Sequence, residues 1–507
     1  MHLTQSRGRL AVVGALGAAA LVASLAVPAT AAPADPTRLA ERLVKQAKGT
    51  DANRHLIAFQ RIADRNGGNR AANTPGYDAS VDYVAGKLTE AGFLVSTPEF
   101  SYEEEVAVAN EVRVGTSTFV VDKLELSPET PVGGITAPLA AVADTPADAT
   151  PGCEASDFAG QDFAGKIAVI RRGSCTFAIK RDNAVAAGAV GAIIANNVAA
   201  PLTNVTLGTA GTIPVGGVDQ ADGTALIAAA GQAATLELVY EDVTRTQRNV
   251  IAQTRTGRTD NVVMAGAHLD AVAAGINDNG TGSAGLLDVA LKMGSSPSTK
   301  NAVRFAWWGA EELGLIGSTE YVQSLTSEQQ LDIALYLNFD MIGSPNAAYF
   351  VYDGDDSDAV GAGAGPYGSA QIEKTFTDFF AQRLGVPTEG TDFSGRSDYG
   401  EFIAVGIPAG GLFTGAEGIK TADQAAKWGG TAGVAYDPCY HQVCDDLGNV
   451  DRVAFDRNID AVAWAVGVYA LSTADVNGVD SRKAKATVRS QTKVSSAAHA
   501  HDHDAVA

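Results

Sequence analysis

Histidine is scarce in this chain: there are 7 in 507 residues, and His499, His501 and His503 crowd into the last nine. Between the leading segment and the tail only His55, His268 and His441 remain, so an imidazole at a chemically loaded spacing stands out. Cysteine is also sparse, at 4. Together with a length roughly three times a typical ~150-residue domain, this excludes a disulfide-stapled miniprotein and predicts at least two domains. Basic side chains are outnumbered 37 to 58, for a net charge of −21. A field of that sign repels phosphate backbones and anionic lipid, which argues against nucleic acid or a membrane surface as partner. The chain is nonetheless 46% hydrophobic and only 19% charged, a globular composition.

The first residues predict an export signal over 1–31. Arg7 and Arg9 form a charged start, Leu10 to Leu25 is an apolar or small-residue run, and Ala29-Thr30-Ala31 is an A-x-A cleavage site. The run is Ala/Gly-rich and short of the ~20 residues of a membrane span, and no later stretch is long enough. Four cysteines in an exported chain predict two disulfides. Three connectivities are possible; Cys153 with Cys175 and Cys439 with Cys444 close the shortest loops. From about Asp475 to 507 apolar periodicity disappears, so a flexible tail is expected, its HAHDHD solvated rather than metal-bound.

Leu56, Phe59 and Ile62, then Val81, Val84, Leu88 and Ala91, recur at helical spacing and stop at Gly67-Gly68 and Gly92. These two helices, within 32–110, are expected to cover a sheet of the following α/β domain. Over 111–240 the texture changes to short Val/Ile/Leu runs split by Gly, Pro and Asp, with one helical piece at Phe177 to Ala187. This β-rich block is expected to be an insertion. Over 241–474 strands alternate with helices: NVVMAGA, DNGTGSAGLLDVALKM, VRFAWWG, EELGLIGSTEYVQSL, ALYLNF and IPAGGLF. The expected fold is α/β, a mixed and mostly parallel sheet with helices on both faces.

In such sheets ligands gather at the carboxyl ends of strands. His268 and Asp270 follow the first strand, Asp278 lies in the next loop, Glu311 and Glu312 follow the second and Asp340 the third. With His441, between Cys439 and Cys444, they offer two imidazoles and several carboxylates that suit divalent ions, zinc above all. His55, on the polar side of the first helix, reads as an ordinary surface histidine.

HLDAVAAGINDNGTGSAG, FAWWGAEELGLIGS, LNFDMIGSPN, FSGRSDYGEF and CYHQVCDD resemble, in order, the motifs of the secreted bacterial two-zinc leucine aminopeptidases among the zinc-dependent exopeptidases. DFAGKIAVIRRGSCTFAIKRDNAVAAGAVGAIIANN resembles the protease-associated domain that many of these enzymes carry as an insertion, which accounts for the Cys153 and Cys175 pair. The resemblance implies two zinc ions per chain. Asp278 bridges them, His268 and Asp340 complete one site, and Glu312 and His441 the other. Asp270 is expected to orient the His268 ring. Glu311 is expected to be the general base and Tyr440 the donor to the oxyanion. The Arg396 carbonyl would help to receive the substrate's ammonium, and Met341 and Phe413 would line the pocket for its first side chain.

The activity so implied is removal of large apolar residues such as leucine from peptides or proteins with a free amino terminus, by a secreted monomer. A carboxypeptidase of the same fold would need a cationic clamp, and a glutaminyl-cyclase relative would bind one metal. A non-catalytic binding protein would not need a full ligand set. Asp456 and Asp460, spaced i and i+4, are a candidate calcium site, with a solvated acidic helix face as the simpler reading. GAGAG at Gly361 to Gly365 lacks the Gly-Lys-Ser/Thr of a phosphate loop, and Asn204-Val205-Thr206 is a glycosylation sequon in form only.

Overall fold

The computed structural model describes residues 37–143, 150–199, 202, 205–478 and 481–490. The expected export signal, Asn204 of the sequon and the HAHDHD stretch lie outside the described residues.

Helices Gly49–Arg65 and Pro75–Glu90 bury Leu56 and Phe59, and Val81, Val84 and Leu88, on the expected spacing. Thr74 caps the second by accepting from the Tyr77 N–H, and Gly92 releases the chain at φ 84°. A further helix, Arg38–Gln46, precedes the two expected ones. Its Leu39, Ala40 and Leu43 are buried, and it packs against Arg452–Leu471.

The main sheet runs in the spatial order Leu94–Ser96, Val250–Gln253, Asn301–Trp308, Arg258–His268, Ile333–Phe339, Ala409–Phe413, Phe350–Tyr352, Glu389–Thr391. Its four central strands, Asn301–Trp308 through Ala409–Phe413, are parallel, and the antiparallel pairs lie outside them. Phe305, Trp307, Leu335 and Leu337 pack in one core layer, whereas Met264, Ala306, Trp308 and Tyr336 pack in the other. Adjacent Trp307 and Trp308 thus face opposite sides, as period-two alternation requires. Burial of both faces explains the near-continuous apolar runs of these strands.

The second sheet runs Ser117–Val120, Glu99–Val114, Ala233–Arg248, Ile135–Ala141, Ile167–Arg171, Gly191–Ala195, Val215–Val218, Asp122–Lys123. Glu99–Val114 and Ala233–Arg248 pair antiparallel along their length and connect this sheet to the main one. The boundaries expected at 110/111 and 240/241 fall inside these strands, because one continuous ladder carries the chain out and back. The helix Phe177–Ala186 stands where expected, capped by Thr176, and a second, Gln220–Ala228, is capped by Asp219.

Two expectations need correction. The helix expected from Glu311 begins at Ile316; Ala310 and Leu315, with φ 54° and 56°, bracket a turn that holds both glutamates. The tail expected to be flexible from Asp475 contains two helices among its described residues, Ala474–Asn477 and Arg482–Arg489. Buried Lys485 donates to the Asp260 carbonyl (3.2 Å) and Asn261 Oδ1 (3.1 Å), and Arg489 donates to the Gln330 and Ile333 carbonyls (2.9 and 2.6 Å). Polar anchors hold helix Arg482–Arg489 in place of an apolar stripe, so hydrophobic periodicity does not reveal it.

Candidate active site

His268 ends its strand, Asp340 follows Ile333–Phe339, and Glu311 and Glu312 occupy the turn beyond Asn301–Trp308, all at the carboxyl edge of the parallel strands. Asp278 lies just before helix Gly280–Met293, with a cis peptide bond to Asn279. His441 sits at φ 54° in the loop closed by the Cys439–Cys444 disulfide. The second disulfide joins Cys153 and Cys175, so the shortest-loop pairing is the one formed.

Five side chains converge. His268 Nε2 lies 3.2 Å from Asp278 Oδ1 and 3.3 Å from Asp340 Oδ1. His441 Nε2 lies 3.2 Å from Asp278 Oδ2 and 2.9 Å from Glu312 Oε2. The two oxygens of Asp278 therefore face two different imidazoles. Glu311 Oε2 is 3.8 Å from His268 Nε2. Asp340 is held by the Ser397 hydroxyl (2.6 Å), which accepts from Asn338 Nδ2 (2.8 Å).

Asp270 faces both the His268 ring and the turn of the two glutamates. Its carboxylate is 3.7 Å from His268 Nδ1, whose nearer acceptor is the Asp270 carbonyl oxygen at 3.2 Å. The carboxylate oxygens also accept from the backbone N–H groups of Glu311 (3.1 Å) and Glu312 (3.2 Å). Asp270 thus fixes the turn that presents both glutamates.

Asp270, Asp278, Glu311, Glu312 and Asp340 are all buried or nearly so, against two imidazoles. Burial opposes protonation of both histidines and is outweighed. Glu311 and Asp340 hold His268 well above its usual range, and Asp278 and Glu312 push His441 up to about 10. Burial drives Glu311 well above the carboxylate range and Glu312 up to about 7. Burial also opposes charge on Asp278, but its bonds to His268 and His441 prevail and depress it. Buried carboxylates in this excess are costly unless cations lie among them. The nitrogen and oxygen donor set fits divalent ions such as zinc. His268, Asp278 and Glu312, and likewise His268, Glu311 and Asp340, have ligand atoms within 4.8 Å of one another.

A cavity of about 230 Å³ opens on these groups and is lined by Met341, Tyr352, Phe413 and Tyr436 and by Asp392, Arg396, Glu417 and Tyr440. The expected Met341, Phe413, Arg396 and Tyr440 are thus all brought to it. Gly415, at φ 93°, lies against Tyr436; a Cβ there would come within 2.3 Å of the ring, so a side chain would displace this wall. Arg396 donates to Glu417 Oε1 (2.7 Å) and to the Tyr440 hydroxyl (3.3 Å). The Tyr440 ring stacks on His441 at 3.8 Å. Burial, reinforced by Asp278, raises the Tyr440 phenol well above its usual value and keeps it a donor.

Asp456 and Asp460 are engaged by groups of the chain itself. Asp460 pairs with Lys48 Nζ (3.0 Å), and Asp456 accepts from the Gly49 N–H (2.7 Å), so an ammonium and a helix start occupy them. A separate group, Asp353, Asp355 and Glu373, is engaged by the backbone N–H groups of Gly354, Ser357 and Asp358. His55 is buried, its Nδ1 2.7 Å from the Tyr83 hydroxyl, because helix Pro75–Glu90 packs over the side that reads as polar. Sequence reasoning misses Arg70 and Asp445, which grip the loop carrying Asp278. Asp445 lies within CYHQVCDD without any spacing that marks it, and Arg70 has no local signal at all.

Parallel strands at the centre of a mixed sheet, with an imidazole-carboxylate cluster at their carboxyl edge, form an arrangement suited to metal-dependent hydrolysis. Residues 249–466 match the profile of peptidase family M28, and residues 135–226 match the PA domain. A probable lipoprotein aminopeptidase of Mycobacterium tuberculosis is 49% identical over 432 residues, covering 84% of this chain and 85% of that one. An aminopeptidase of Pseudomonas aeruginosa is 47% identical over 442 residues, covering 83% and 80%. A leucine aminopeptidase 2 of Arthroderma otae is 42% identical over 419 residues, covering 80% of each. A zinc aminopeptidase from Bacillus subtilis superposes with a TM-score of 0.66 at 25% identity, over 85% of this chain and 98% of that one. The chain belongs to peptidase family M28 and carries an inserted PA domain.

Proposed function

We propose that this enzyme is an exported two-zinc aminopeptidase that releases large apolar residues, leucine among them, from the amino terminus of peptides. The observation that carries the reading is the placement of Asp278 between two donor sets. His268 and Asp340 would hold one zinc, His441 and Glu312 the other, and Asp278 both. When bound, the pair lowers the pKa of a water and polarises the scissile carbonyl.

The chain's own groups do the rest. Glu311, buried and raised in proton affinity, takes the water's proton and passes it to the leaving amine. Tyr440 keeps its proton for the developing oxyanion while its oxygen accepts from Arg396. Glu311, Asp340 and the Arg396 carbonyl receive the substrate's ammonium, in a cavity whose acidic lining favours a cation. Met341 and Phe413 contact the first side chain. The guanidinium of Arg396 is neutralised by Glu417, so among the described residues the cavity presents no unpaired cation to clamp a carboxylate. That favours an aminopeptidase over a carboxypeptidase, and the complete donor set disfavours a non-catalytic binding protein. The names of the relatives point the same way. The export signal expected over 1–31 and the two disulfides support secretion.

The test is hydrolysis of a leucine anilide by the zinc-loaded enzyme. Activity should vanish with a chelator and return with zinc; no cleavage together with indifference to the chelator would refute the assignment.

A further inference from the structure

We propose that Arg70 and Asp445 are positioning residues that fix the 269–278 segment, and hence Asp278, in its bridging position before any metal binds. The inference rests on the two-metal reading above.

Residues 269–278 form neither helix nor strand, yet they carry Asp270 and Asp278. A bridging carboxylate has to sit within about half an ångström of its productive position relative to both donor sets. No ladder supplies that precision. Two buried side chains from distant parts of the chain do.

Arg70 is fully buried. Its guanidinium donates to three carbonyls of the segment: Leu269 (2.8 Å), Ala274 (2.8 Å) and Gly275 (2.7 Å). Its backbone N–H donates to a fourth, Ala273, at 2.9 Å. A rigid planar fork is suited to such a task, because holding one donor in place holds the others. The Phe59 ring lies 4.8 Å from the guanidinium carbon and backs this fork.

Asp445 grips the other end through the opposite polarity. Its Oδ1 accepts from the Asn277 N–H (2.8 Å) and its Oδ2 from the Asp278 N–H (2.9 Å). Its carbonyl takes the Ile276 N–H at 3.2 Å. Asn449 Nδ2 fixes Oδ1 from behind at 3.0 Å. A cation therefore holds the carbonyls of the segment and an acid holds its amides. Asp445 also follows Cys444 directly, so the loop that presents His441 is tied to the backbone that presents Asp278. One contact thereby sets the spacing between the bridging carboxylate and the second donor set.

The test measures zinc affinity by chelator competition for wild type, Asp445→Asn and Arg70→Lys, each checked for native circular dichroism after metal removal. Removing a group that orients metal ligands weakens affinity about 10–100-fold, and that loss is expected for both variants. Wild-type affinity in both would overturn the proposal. Amide exchange in metal-free wild-type protein tests it without any variant. Protection of Asn277 and Asp278 equal to that of the zinc-loaded protein is expected, and exchange at the rate of an open loop would overturn it. Failure of the wild type to bind two zinc ions would instead count against the two-metal reading, leaving the exchange result to judge the clamp.

Discussion

Glu311→Gln is the sharpest perturbation of the proposed chemistry, because it removes a proton acceptor while conserving shape. The backbone N–H of residue 311 still donates to Asp270 Oδ1 (3.1 Å), so the turn is retained, and Glu312 keeps its place 2.9 Å from His441 Nε2. The side chain lies 3.8 Å from His268 Nε2, and its burial, reinforced by Asp340, raises its proton affinity. An amide there cannot take a proton from water. General-base catalysis is worth about 10²–10⁴-fold, or about 3–5 kcal/mol of barrier at ~1.36 kcal/mol per decade. Steady-state hydrolysis of a leucine anilide should show kcat lower by that factor, with zinc content unchanged. A variant that keeps its zinc and stays within about tenfold of wild-type kcat would refute the assignment of the base.

Tyr440→Phe removes the proposed oxyanion donor and should lower kcat by about 10²–10³ with KM little changed; an equal loss in a substrate-binding assay would argue for a packing role. Replacing Cys439 and Cys444 by serine opens a loop with a sequence separation of 5. This should cost about 2 kcal/mol on chain-entropy grounds, seen by thermal unfolding, and should weaken zinc binding at the His441 site. Asp288 is 3% exposed, and burial pushes its pKa up from 3.8 to about 6 despite Lys292. Between those values the folded protein holds a proton that the unfolded chain has lost, so stability falls as pH rises through that window. Asp288→Asn should therefore stabilise by about 1–3 kcal/mol at pH 8 and have no effect below about pH 4. A denaturant titration at both pH values checks this.

The strands of the main sheet were legible because burial on both faces writes them as apolar runs, and His268, Asp340 and the glutamates stood out as polar residues at the ends of those runs. The insertion was legible through its change of texture. What escaped reading depends on contacts between residues remote in sequence. The turn at Glu311 is set by Asp270, 41 residues earlier. Arg70 is separated by 199 residues from the first carbonyl it holds and Asp445 by 168 from its amide, with no period to betray either. Helix Arg482–Arg489 is fastened by Lys485 and Arg489 rather than by an apolar face. Asp456 and Asp460 showed a metal-like spacing whose cation, Lys48, lies 412 residues before Asp460.

The account stands on two ions sharing Asp278, and zinc counted per chain by native mass spectrometry tests it most directly. The purified, zinc-saturated wild-type protein should carry two zinc ions per chain, and a single ion or none would contradict the account.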